Sequence, residues 1–184
     1  MRLKLLALAA STRTDSLNKR LLALAMAEAT RAGAHITELD YTACAAPLYQ
    51  GEENPEIPAG AARLGDALLA HDGLLLASPE YNWSIPAALK SLIDWLSVDP
   101  RAPLRRRHAL LMCASPSVRG GILGLHQLSL PLAHLGVYVY PQLIAIGDAE
   151  NEITATGLRS AKDQQFLADC VTDFVRIANT NAKA

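Results

Sequence analysis

The sequence holds few of the residues from which metal centres, disulfide frameworks and nucleic-acid surfaces are built. Its three cysteines, Cys44, Cys113 and Cys170, lie far apart, form no CxxC and are odd in number. That argues against a disulfide framework and fits a reducing, cytoplasmic compartment. The five histidines show neither HExxH nor Cys/His ligand spacing, so no metal is expected. Formal net charge is −1. With no basic excess, no nucleic-acid partner is expected, and no acidic tail suggests a chaperone-like one. No apolar run approaches the roughly 20 residues that a membrane span requires. The opening MRLKLLALAAST has the look of a signal peptide, but its uninterrupted apolar run, Leu5 to Ala10, is shorter than a usual signal core. A buried first strand is the better reading. GxGxxG and GxxxxGK(S/T) are both missing, which removes a dinucleotide fingerprint and a Walker loop.

What remains is an ordinary globular composition, 51% hydrophobic and 19% charged over 184 residues. That length suits one domain, 1–184, burying about 70% of its unfolded surface. Short apolar runs alternate with helical patterns. Leu3–Ala9 reads as a strand, and Asn18–Ala32 as a helix that Gly33 stops. A second strand covers 35–40, and 41–58, with Gly51 and its prolines, reads as loop. Ala61–Ala70 is a predicted helix, GLLLASP (73–79) a fully apolar strand, and Ser84–Ser97 a helix with Ser84 as its N-cap and Pro86 in its first turn. HALLMCA (108–114) is the fourth strand, and Ile122–Leu135 is a helix interrupted or kinked near Pro131. A fifth strand lies within 137–146, a closing helix spans Ser160–Ala178, and the final NTNAKA is expected to fray. Such alternation predicts an α/β fold, a five-stranded parallel sheet in a three-layer α/β/α sandwich, with the flavodoxin-like order 2-1-3-4-5.

Ligands in such folds sit beyond the carboxyl ends of the strands where the strand order reverses. Three loops there are unusual. ASTRTDSLNKR (10–20) offers hydroxyls, Arg13 and the start of a helix, whose free N–H groups favour a phosphate; a plain polar N-cap is the bland alternative. SPEYNWS (78–84) carries Glu80, Tyr81, Asn82 and Trp83 where a turn needs none but the Asn. ASPSVRGGILG (114–124) has two adjacent glycines, which either let a backbone approach a flat ligand or make a tight turn before a helix. Arg105–Arg107 reads as a solvated run.

Together these loops resemble the NADPH-dependent FMN reductase family of flavodoxin-like proteins, which includes quinone, chromate and azo-dye reductases. PEYNWSIPAALKSLIDWLS is similar to that family's PEYN-x-S-x-P-x-x-LK-x-x-IDW-x-S, and Ala10, Ser11, Arg13, Ser16 and Asn18 follow its GS-x-R-x-x-S-x-N. The resemblance implies an FMN cofactor, with NADPH or NADH as co-substrate and a small-molecule electron acceptor. It implies that Ser11, Arg13, Ser16, Leu17 and Asn18 hold the phosphate. Pro79, Glu80, Tyr81, Asn82 and Ser84 would frame the ring and ribityl chain, mostly through backbone groups. Ser115, Ser117, Gly120 and Gly121 would close the other side. No side-chain acid or base is implied.

Three positions depart from the pattern: Ala10 and Ser117 stand where glycine is usual, and Leu123 where many relatives have an arginine of an intersubunit network. Arg119 is the nearby cation. The family resemblance implies a homodimer or a homotetramer, and Leu123 cannot make the arginine network of the family's tetramer. A stripe through Ala88, Leu92 and Trp95, off the core face of the 84–97 helix, reads either as that interface or as the edge of the core. A flavodoxin-type electron carrier and a flavin-free interaction protein are the two rival readings.

Overall fold

The structure, a computed structural model, describes residues 2–51 and 56–181. Strands β1 (Lys4–Ala9), β3 (Gly73–Ala77) and β4 (His108–Ala114) are buried along almost their whole length. Such unbroken apolar runs are stable only where helices cover both faces of a sheet. All pairings are parallel, in the order β2-β1-β3-β4-β5, with β2 (His35–Leu39) at one edge. This is the expected flavodoxin-like arrangement.

Alternate residues of the strands feed two cores. Leu5, Ala7, Leu75, Leu110 and Met112 pack under α1 (Leu17–Arg31) and α6 (Ala161–Asn181). Leu6, Leu8, Leu74, Leu76 and Leu111 pack under α2 (Ala59–Leu69), α3 (Ala87–Ser97) and α4 (Ile122–His134). The α1 face is as its spacing predicts, with Leu21, Leu22, Ala25 and Ala29 buried, and Gly33 ends the helix at a positive φ of 95°.

Several expectations are corrected. Helix α3 begins at Ala87, and Ser84 does not cap it. A residue preceding proline is disfavoured in helical geometry, so Ile85 before Pro86 keeps the chain extended there. Helix α4 runs uninterrupted through Pro131, which falls in its last turn, where little remains to break. The fifth strand is two segments, β5 (Tyr138–Val139) and β6 (Ile144–Ile146), both paired with β4. Pro141, which cannot donate to a ladder, lies between them. A short helix, α5 (Ala149–Glu152), follows β6 and was not foreseen. Helix α6 continues to Asn181, so Asn179–Asn181 are not frayed, while 182–184 fall outside the described residues.

Of the two readings open for Trp95, subunit interface or edge of the core, the structure gives the second. The residue is only 4% exposed within the single chain. Its indole N–H donates to the Pro47 carbonyl at 2.8 Å, and its ring meets Tyr49 edge-on at 5.0 Å. Ser91 reinforces the contact, donating to Pro47 and accepting the Tyr49 N–H at 2.9 Å. The stretch after the short 3-10 turn Tyr41–Cys44, read as plain loop, is thus laid over α3, and the chain itself covers Trp95. The aromatic belongs to the edge of the core and is no longer available as a subunit contact.

Trp95→Phe keeps most of the ring but loses the indole donor. We expect it to cost about 0.5–1.5 kcal/mol and to speed hydrogen exchange at Tyr49. Sedimentation should be unaltered; a change of oligomeric state would contradict the intrachain role.

Candidate functional site

Strands β1 and β3 finish level with each other, at Ala9 and Ala77, beside Met112 of β4, which runs on to Ala114. The ladder extends one step past the strands, through Ala10 N–H to Ala77 C=O at 2.8 Å and Ser78 N–H to Met112 C=O at 2.9 Å. The chain turns outward from this line into three loops, and between them lies a cleft of about 350 Å³. That falls in the range of cofactor sites, roughly 300–1,000 Å³.

The first loop delivers the start of α1. Ser16 is its N-cap, accepting the Lys19 N–H at 3.4 Å. The next N–H groups, of Leu17 and Asn18, belong to the first turn, whose donors have no partner within the helix. Ser11 is buried beneath and accepts the Arg13 N–H at 3.4 Å. Arg13 is mostly exposed and forks onto Asp15, with both contacts at 3.3 Å. That hydrogen-bonded carboxylate raises the Arg13 pKa, and Arg13 in turn holds the Asp15 carboxyl below its usual range.

Asn18 is buried, and its side chain is already committed. The amide nitrogen donates to the Ala114 carbonyl at 3.1 Å, and the amide oxygen accepts the Ala114 N–H at 3.0 Å. It mimics a strand neighbour for the last residue of β4. Only its backbone N–H is left to face a ligand.

The second loop answers why Glu80, Tyr81, Asn82 and Trp83 stand together. Tyr81 and Ser84 exchange both backbone hydrogen bonds, each at 3.0 Å, across a two-residue hairpin. Its central residues, Asn82 and Trp83, have φ of 50° and 63°. Positive φ at both is the type I′ turn, which Asn suits at the first position and which normally takes Gly at the second. Glu80 turns away from the hairpin. Its carboxylate accepts the Gly124 N–H at 2.6 Å, supplying the cap that Gly121 cannot give to α4. The negative group sits at the positive end of the helix.

In the third loop Ser115 accepts the Ser117 N–H at 3.2 Å, and Ser117 accepts the Arg119 N–H at 3.3 Å. Gly120 and Gly121 both have positive φ. A Cβ on Gly120 would lie 2.6 Å from the Ala145 carbonyl carbon, and one on Gly121 would strike the Cys113 sulfur. The close approach these glycines permit is therefore to β6 and β4, in a turn that starts a helix. Burial pushes the Cys113 thiol up to about 12, so it is a packing group here.

Of the expected residues, Ser11, Arg13, Ser16, Leu17, Asn18, Pro79, Glu80, Tyr81 and Ser115 line the cleft. Asn82, Ser84, Ser117, Gly120 and Gly121 do not. Asp15, Arg20, Ala114, Pro116 and Glu150 line it unforeseen. Arg20 was legible, since it stands four residues after the Ser16 cap on the same helix face; its guanidinium also donates to the Ile153 carbonyl. Glu150 comes from α5, beyond the carboxyl end of β6 and outside the three loops that the sequence singles out. Among the described residues no group of His, Cys, Asp and Glu could hold a metal ion, and no helix is long and apolar enough to cross a membrane.

A doubly wound parallel sheet with a helix N-terminus open into a cleft at the strand switch is a flavodoxin-like nucleotide-binding architecture. The profile of the NADPH-dependent FMN reductases matches residues 3–151, and the chain belongs to that family. It is 39% identical to the quinone reductase of Escherichia coli K12 over 77 residues, 41% of each chain. It is 32% identical over 113 residues to an NAD(P)H-dependent FMN reductase of Pseudomonas aeruginosa, covering 60% of this chain and 61% of that one. The chain thus spans less than two thirds of either relative. FerB, a flavoenzyme NAD(P)H:(acceptor) oxidoreductase from Paracoccus denitrificans, superposes with a TM-score of 0.81 at 25% identity, over 96% of this chain and 97% of that one.

Glu80→Ala should destabilise the cofactor-free protein by about 0.5–2 kcal/mol, as loss of a helix cap does. Glu80→Gln, which retains an acceptor oxygen, should lose less. Thermal denaturation of both variants checks the order; equal losses would show that the Gly124 contact is not the reason.

Proposed function

We propose that the protein binds FMN in this cleft and uses NAD(P)H to reduce quinone- or azo-type acceptors. The observation that carries the reading is the open first turn of α1, flanked by Ser11, Ser16 and Arg13, in a cleft with room for one mononucleotide. The phosphate would take the Leu17 and Asn18 N–H groups, the Ser11 and Ser16 hydroxyls, and the Arg13 fork once it leaves Asp15. That exchange is cheap, because a solvent-exposed ion pair contributes little. The backbone of Pro79–Tyr81 would lie along the ring, and Ser115 would face it from β4. When bound, FMN supplies the hydride chemistry, and the protein supplies position and electrostatics. Over the whole cycle NAD(P)H gives up a hydride, and a quinone gains two electrons and two protons, the second proton coming from solvent.

Family membership supports the enzyme over the electron carrier, whose likeness to this chain is one of fold: flavodoxin 1 of Bacillus cereus superposes with a TM-score of 0.63 at 15% identity. The names of relatives support the acceptor class, with a 2-hydroxy-1,4-benzoquinone reductase of Burkholderia and an NADPH azoreductase of Bacillus among them. Assembly as a homodimer or homotetramer is proposed on family likeness, and a cytoplasmic location on the three scattered, free cysteines.

The protein should take up FMN and not FAD, and oxidise NADPH or NADH with a quinone present. Arg13→Ala should weaken FMN roughly ten- to a hundredfold, the worth of a charged hydrogen bond, and leave riboflavin nearly unaffected. Asp15→Asn, which removes the competing carboxylate, should tighten FMN. Flavin titration by fluorescence reads all of these; equal losses for FMN and riboflavin in Arg13→Ala would remove the phosphate assignment.

A further inference from the structure

Trp83 occupies a costly conformation for no benefit to the fold. It stands at the second central position of a type I′ turn, at φ 63°, where glycine is the unstrained choice. Yet its side chain is 62% exposed and buries little. Backbone strain kept at an exposed aromatic points to use of that aromatic. One side chain does meet it. The Arg119 guanidinium carbon lies 5.2 Å from the centre of the Trp83 ring. Arg119 comes from the third loop and Trp83 from the second, so the pair spans the two walls whose Pro79–Tyr81 and Ser115–Pro116 line the cleft. Tyr81, two positions before Trp83, and Val118, next to Arg119, are 54% and 89% exposed. The two loops that supply these walls thus carry an exposed aromatic and apolar patch with a cation held on it, and Tyr81 joins that patch to the cleft.

We propose that Trp83 and Arg119 select the electron acceptor: a planar aromatic bearing an anionic group stacks on Trp83 with its charge towards Arg119. Stacking accounts for an exposed indole, and the guanidinium, lacking a carboxylate partner among the described ion pairs, accounts for the charge preference. The assignment rests on the flavin-reductase reading and specifies the acceptor for the same site. Neither residue touches the phosphate end, which is built from the first loop.

The test compares kcat/KM for 1,4-naphthoquinone, its 2-sulfonate and ferricyanide, with the FMN-loaded enzyme. In Trp83→Gly the ratio of naphthoquinone to ferricyanide should fall roughly three- to tenfold, the worth of one aromatic contact, while the melting temperature holds or rises. Trp83→Phe should restore most of the ratio. Arg119→Gln should lose the preference for the sulfonate over the parent quinone. An unchanged ratio in Trp83→Gly overturns the proposal. So does a change confined to the KM for NAD(P)H, which would give the ring to the donor, or a shift in sedimentation at an unchanged ratio, which would make it a subunit contact. A wild-type enzyme that oxidises NAD(P)H with none of the acceptors overturns the flavin-reductase reading itself.

Discussion

Two hydrogen bonds between the Asn18 amide and the backbone of Ala114 hold the cleft to its shape. They join the first turn of α1 to the last residue of β4, across the line where the strand order reverses. A buried amide with both its groups paired is worth keeping, and one with a partner missing is expensive. Moving α1 relative to the sheet would therefore break two buried contacts at once. A second tie, from Glu80 to Gly124, fastens the loop after β3 to the helix after β4. The three loops are connected to one another by the protein's own atoms, so a ligand meets walls that are already set. Pre-organisation of this kind spares binding the entropy of ordering loops.

Small residues make those ties reachable. Ala9, Ala77 and Ala114 end the three central strands, which keeps bulk away from the floor of the cleft. Gly121 and Gly124 admit the Cys113 sulfur and the Glu80 stem, where any Cβ would collide or crowd. The polar groups of the site are thereby split into two sets. Asn18 and Glu80 are used up inside the molecule. Ser11, Arg13 and the first N–H groups of α1 remain for what comes from outside.

The sheet and its order were readable because burial on both faces demands continuous apolar strands, and β1, β3 and β4 supply them. The position of the cleft followed from that order. What escaped the sequence was partnership at a distance. Nothing local tells that Asn18 pairs with Ala114, 96 positions away, or that Glu80 caps a helix 44 positions on. Trp95 was placed off the core stripe because helical spacing cannot show that Pro47 and Tyr49 fold back over it. Ser84 was misplaced for a local reason, the effect of Pro86 on Ile85, which the sequence did contain. The glycines at 120 and 121 do permit a close approach, as their pairing suggests, but that approach is to β6 and β4.

The division of the outer strand into β5 and β6 bears on colloidal behaviour. A long, flat sheet margin is a template on which other chains can add strands. Here the outer run is two and three residues long, with Pro141 in the gap, and no segment offers an unbroken row of donors and acceptors. The opposite margin, β2, is five residues long and carries Glu38 on an exposed position. An apolar parallel sheet of this kind folds through species prone to pairing wrongly. Both margins are thus short, charged or broken, the forms in which a sheet edge resists edge-to-edge growth.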